Sequence, residues 1–93
     1  SNEPGYYKDR AFGIRIENLV LVEKVKLPGA ERDMYGFETL TLAPIDTRPI
    51  DRKLLTKDEA AWLNAYHKRV LREIGPKLDP KTRAWLRSAC KPI

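Results

Sequence analysis

Gly13-Ile14-Arg15-Ile16-Glu17-Asn18-Leu19-Val20-Leu21-Val22 changes character halfway along its length. The first half alternates. In an extended chain Arg15 and Glu17 share one face, roughly 6.8 Å apart at ~3.4 Å per residue, while Ile14 and Ile16 share the other. An apolar face of that kind packs while the charged face looks into a cavity or water. The second half, Leu19 to Val22, is apolar on both faces. That pattern belongs to a strand covered on both sides, which a lone hairpin cannot provide. The rest of the sheet is therefore expected from a region outside this sequence or from another chain.

Towards the N-terminus, Tyr6-Tyr7 has strand character and Lys8-Asp9-Arg10 is a polar link, so residues 1–26 read as two strands around a short connection, the second running from Gly13 to Lys26. Glu3 precedes Pro4-Gly5, a pair that predicts a sharp turn holding the Glu3 carboxylate at the lip of a strand. Two carboxylates on adjacent strands suit a hard divalent cation such as Mn²⁺ or Mg²⁺, which prefers carboxylate oxygen. By spacing alone, the plainer description is a frayed terminal charge and an ordinary solvated strand face.

Towards the C-terminus, Leu27-Pro28-Gly29 opens a turn through Asp33, and Tyr35 to Leu42 has the β propensity to pair back onto the preceding strand. Pro44, Asp46 and Pro49 break regular structure between Ala43 and Arg52, and Asp51 suits the cap of a single turn through Leu55. Thr56-Lys57-Asp58-Glu59 has the capping-box arrangement, so a helix follows directly. Its apolar face is Leu63, Tyr66, Val70, Leu71 and Ile74, and Gly75-Pro76 stops it. Asp79-Pro80 supplies an N-cap and a first-position proline for a second helix, with Thr82, Trp85, Leu86 and Ala89 as its stripe and Lys91-Pro92 as its end. The short link makes a helical hairpin. Strands followed by helices give the fold class α+β.

With 93 residues, 42% hydrophobic and 33% charged, the chain has the composition of a globular domain, and no apolar run approaches the ~20 residues that span a bilayer. No membrane partner is expected, and no basic leader precedes an apolar core. The net charge of +5 gathers in the C-terminal third, at Lys68-Arg69, Arg72, Lys77, Lys81, Arg83 and Arg87. Cationic side chains on amphipathic helices make a solvated face, and without an accompanying motif no nucleic-acid partner is expected. The single cysteine, Cys90, excludes an internal disulfide, fits a reducing compartment and reads as packing near a helix end. His67, the only histidine, lies mid-helix with no second ligand at helical spacing, so it reads as a surface or packing residue. Trp62 and Trp85 are expected in the core, as an aromatic contact between the helices, ahead of an interface role.

Two blocks, Ser1-Asn2-Glu3-Pro4-Gly5-Tyr6-Tyr7 and Ala11-Phe12-Gly13-Ile14-Arg15-Ile16-Glu17-Asn18-Leu19-Val20-Leu21-Val22, resemble aminopeptidase P, the Xaa-Pro aminopeptidase branch of the pita-bread metallopeptidases. The stretches Phe37 to Ile45 and Leu54-Leu55-Thr56 before a Trp62-containing helix resemble that family's C-terminal extension. The resemblance implies antiparallel strands from the end of a pita-bread catalytic domain over residues 1–34 and an extension of strand, loop and helical hairpin over 35–93. It also implies two divalent metal ions, most commonly Mn²⁺, held by two aspartates, one histidine and two glutamates. Glu3 and Glu17 match the two glutamates, Glu3 as metal ligand and proton acceptor, Glu17 as the bridging carboxylate. Arg15 and Tyr7 match positions lining the site and, with Glu3, form the catalytic set that the resemblance implies.

Nothing in the chain matches the other three ligands, and Asp9, Asp33 and His67 stand in unrelated contexts. The resemblance therefore implies the C-terminal portion of a cytoplasmic, dimeric enzyme that uses a metal-bridged water as nucleophile to cut between an N-terminal residue and a following proline. Alone, the piece is expected to be inactive and not to bind the metals stably. Its partners would be a peptide with proline at position two, the rest of its own catalytic domain and a second copy. The alternative is a non-catalytic, pita-bread-derived protein-interaction module, against which the presence of Glu3, Arg15 and Glu17 speaks.

Overall fold

The computed structural model describes residues 1–93, which fall into two compact units, Ser1–Thr41 and Leu42–Ile93. The first holds four strands, β1 (Gly5–Lys8), β2 (Phe12–Arg15), β3 (Val20–Val25) and β4 (Met34–Thr39). They form two separate antiparallel pairs, β1 with β2 and β3 with β4. The link between β1 and β2 is a tight turn in which the Ala11 N–H donates to the Lys8 carbonyl (3.1 Å) and Arg10 takes a left-handed φ of 54°. Three-residue hairpin loops commonly place one residue there. The β3–β4 connection turns at Gly29, whose φ of 76° suits a residue without a β-carbon, and Lys24 pairs with Asp33 at its mouth (2.7 Å).

The single strand expected from Gly13 to Lys26 is broken. Residues up to Arg15 pair with β1, whereas those from Val20 pair with β4, and the chain changes partner between them. Pro4-Gly5 does not turn either. Gly5 opens β1, and the ladder continues beyond the strand through Ile16 N–H to Pro4 carbonyl (3.2 Å) and a reciprocal Asn2–Asn18 bridge (2.8 and 3.0 Å). The fourth strand ends at Thr39, but the Leu40 N–H still donates to the Leu19 carbonyl (2.8 Å) and the Leu19 N–H donates to the Thr41 hydroxyl (2.8 Å). The cover expected on both faces of Leu19 to Val22 is not supplied within this chain: Leu19, Leu21 and Val22 are 56%, 51% and 58% exposed.

The second unit is helical. A short 3₁₀ turn, Arg52–Leu54, is capped by Asp51, whose carboxylate accepts from the Lys53 N–H (2.9 Å). Helix α1 (Lys57–Ile74) starts at Thr56 with the full capping box: the Thr56 hydroxyl accepts from Glu59 N–H (3.1 Å) while Glu59 accepts from Thr56 N–H (2.8 Å). Helix α2 (Pro80–Ala89) starts at Asp79, which accepts from the Lys81 and Thr82 N–H groups, with Pro80 at the first position where a missing N–H costs nothing. Tyr66, Val70, Leu86 and Cys90 form the buried cluster, flanked by Leu42, Ile45, Leu71, Ile74 and Leu78.

The end of α1 is not a left-handed glycine stop. Gly75 stays right-handed and leads into a 3₁₀ turn with Pro76 and Lys77. The freed carbonyls are taken by one guanidinium: Arg83 donates from Nε to the Gly75 carbonyl (2.7 Å) and from Nη2 to those of Pro76 and Leu78 (3.2 Å each). That side chain turns α2 by about one residue from the predicted stripe, so Arg83, Leu86 and Cys90 face inwards while Thr82 and Trp85 face out. The expected core packing of the tryptophans is therefore wrong. Trp85 is 60% exposed, and Trp62, 50% exposed, stacks on Tyr66 of its own helix (5.3 Å between centroids).

Candidate functional site

The candidate site lies on β1, β2 and their N-terminal and C-terminal continuations. Gly5 lies opposite Arg15, and Asn2 opposite Asn18, in one antiparallel register, which sets Glu3 opposite Glu17. The Asn2–Asn18 pair exchanges both backbone hydrogen bonds, so Glu3 and Glu17 form the non-hydrogen-bonded type of pair, in which side chains stand closest. Like charges placed so are unfavourable unless a cation stands between them. Arg15 does: its Nη1 is 3.0 Å from a Glu3 carboxylate oxygen and 3.7 Å from one of Glu17. All three side chains are about half exposed.

Tyr7 completes the group from the same face. Its hydroxyl accepts from Arg15 Nε (2.8 Å), and the guanidinium carbon sits 5.9 Å from the ring centroid. Arg15 is held above the ordinary arginine value, first by the Tyr7 hydrogen bond, then by the charges of Tyr7, Glu3 and Glu17. The opposite face of the same hairpin is apolar, with Tyr6 and Phe12 in tilted contact (6.1 Å).

All four sequence-predicted residues, Glu3, Tyr7, Arg15 and Glu17, thus come together on one face. In chemistry and position the two carboxylates fit a hard divalent cation, which prefers carboxylate oxygen. Within this chain, no group of three or more His, Cys, Asp or Glu side chains forms a metal cluster. Asp9 pairs only with its neighbour Arg10, Asp33 pairs with Lys24, and His67 is buried in the helical unit. His67 Nε2 accepts from the Ile45 N–H (3.0 Å), and burial pushes its pKa below the usual histidine range. Burial likewise raises the Cys90 thiol, which disfavours the reactive thiolate. Sequence reasoning overlooked Gly5 and Gly13, which lie beneath the Tyr7 ring. No local sequence signal marks them, because their closeness to the ring depends on the strand register that sets Gly13 opposite Tyr7.

Similarity to known proteins extends over the whole chain. Residues 33–93 match the family described as the C-terminal region of peptidase M24. A probable Xaa-Pro aminopeptidase P from Coprinopsis cinerea is 47% identical over the whole chain, and aminopeptidase P2 from Arabidopsis thaliana is 45% identical over the whole chain. The chain spans 16% and 14% of those relatives. The crystal structure of an X-prolyl aminopeptidase from Caenorhabditis elegans, described as a cytosolic enzyme with a di-nuclear active site, matches 98% of the chain and 15% of its own at 41% identity, with a TM-score of 0.89. The α+β arrangement is therefore that of the corresponding part of the aminopeptidase structure, and the chain belongs to the peptidase M24 C-terminal region family.

Proposed function

We propose that this chain is the C-terminal portion of a dimetal aminopeptidase that hydrolyses the bond between an N-terminal residue and a following proline. The observation that carries the reading is the cross-strand pairing of Glu3 with Glu17, both beside Arg15. In this reading Glu3 and Glu17 supply two of the five ligands to two divalent ions, manganese by preference. When bound, those ions supply Lewis acidity at the scissile carbonyl. Glu3 accepts the proton released during hydrolysis. Arg15 and Tyr7 hold the two carboxylates in place, because a fixed guanidinium offsets the repulsion that would otherwise turn them apart. Residues 1–34 close the catalytic domain and residues 35–93 form the extension, which braces that domain or a subunit interface in a cytoplasmic homodimer.

Two carboxylates are too few to bind the ions firmly, so the chain alone is inactive. The test is to express the chain joined to the preceding region of its gene and to follow manganese-dependent release of the first residue from an Xaa-Pro peptide. Glu17→Ala is expected to lower kcat/KM by at least ~100-fold, the scale of a lost metal contact worth several kcal/mol. Activity unaffected by Glu17→Ala, or a chelator-sensitive peptidase rate from the 93-residue chain alone, would contradict the reading.

A further inference from the structure

We infer that Gly5 and Gly13 are positioning residues for the carboxylate face, because together they leave the floor on which the Tyr7 ring must lie to reach Arg15. Glycine is not needed here for its backbone freedom. Gly29 is the chain's one glycine with a left-handed φ, and Gly5 and Gly13 sit in regular strands. What they provide is space. A β-carbon on Gly13, the residue directly opposite Tyr7, would stand 2.6 Å from Tyr7 Cδ1 and 2.9 Å from Cε1. One on Gly5 would stand 2.8 Å from the Tyr7 hydroxyl and 2.9 Å from Cε2. The ring therefore runs across the sheet surface from Gly13 to Gly5, which is the cross-strand neighbour of Arg15.

That path delivers the hydroxyl to Arg15 Nε and leaves Nη1 facing Glu3 and Glu17. With a methyl group in either place the ring must lift, Nε loses its acceptor, and the guanidinium is free to leave the carboxylate pair. The consequence for catalysis rests on the aminopeptidase reading above, but the coupling itself does not.

The test is a two-by-two set in the full 93-residue chain with ¹⁵N-labelled arginine: wild type, Gly13→Ala, Tyr7→Ala and the double variant, read by hydrogen exchange at the Arg15 Nε–H. This readout needs neither metal nor substrate, so it can fail while the enzymatic reading stands, or succeed while that reading falls. Wild type is expected to show slowed exchange, Gly13→Ala to exchange about five-fold faster, the scale of one ordinary hydrogen bond. In the Tyr7→Ala background, Gly13→Ala is expected to change nothing. Should Gly13→Ala alone prevent folding, the double variant is expected to fold, since the clash has been removed. An unslowed Arg15 signal in wild type, a slowed signal retained in Gly13→Ala, an equal effect of Gly13→Ala with and without Tyr7, or a double variant that also fails to fold would each overturn the inference.

Discussion

Arg15 works at the scale of a single residue by holding two like charges that the strand register forces together. Arg15→Met keeps the aliphatic stem but removes the cation, so Glu3 and Glu17 repel. The variant is expected to unfold at a slightly lower temperature than wild type, as loss of a solvent-screened charge contact implies. On the dimetal reading proposed above, the loss in the longer protein should shrink when Mn²⁺ is saturating, because a bound ion would supply the missing positive charge; thermal unfolding with and without the metal measures both. Asp46 offers a second local case. The Arg48 guanidinium, binding both carboxylate oxygens, and the Arg48 N–H hold Asp46 down at about 2. A depressed carboxyl contributes stability that is complete above its unfolded value of 3.8 and is lost as pH falls towards about 2. Carbonyl NMR titration should place the Asp46 midpoint near 2, and Arg48→Met should return it to the ordinary range. Thr56, Glu59 and Asp79 were legible as caps because each acts on backbone within three residues of itself. The Tyr7–Arg15 contact spans eight residues, and its seat on Gly13 became visible only with the register.

At the scale of the element, α2 separates a predicted stripe from the observed one. Leu86 is buried and Trp85 is mostly exposed, although both belonged to the expected apolar face. Leu86→Ala should cost ~2–5 kcal/mol, as core truncations do, and Trp85→Ala within about 0.5 kcal/mol, as surface substitutions do. Chemical denaturation of the two variants decides it, and equal losses would contradict the orientation described here. Periodicity named the right helix but was one residue out in rotation, because the bulk of Trp85 suggests core whereas the three carbonyls taken by Arg83 fix the inward face. Helix α1 carries one source of pH dependence in the second unit. Tyr66 and His67 tie down the segment before the 3₁₀ turn: the Tyr66 hydroxyl donates to the Ala43 carbonyl (2.9 Å), and His67 accepts from the Ile45 N–H. Because burial lowers the His67 pKa, the unfolded chain binds the proton more readily below about pH 6.5, so stability should fall as pH drops through that range. His67→Gln, which keeps an acceptor without the titration, should flatten the thermal-stability profile between pH 7 and 5.

At the scale of the whole molecule, the first unit leaves much apolar strand surface open, including Tyr6, Phe12, Leu19, Leu21, Val22 and Phe37. Exposed strand edges and apolar faces favour pairing with other chains. The 93-residue chain alone should therefore bind a hydrophobic dye and self-associate with rising concentration, and Leu21→Lys should reduce both; a monodisperse, dye-silent monomer would contradict this. The sequence by itself determined the α+β class, both helix starts and the β3–β4 hairpin, because caps, turns and alternation act over a few neighbouring residues, whereas the four residues of the carboxylate face were singled out by the family resemblance. Tertiary structure alone decided that the expected long strand splits between two partners, that Pro4-Gly5 runs extended, that Trp85 points outwards and that two glycines seat Tyr7. Each of those depends on which distant backbone or side chain competes for the same space or hydrogen bond, and no local pattern carries that information.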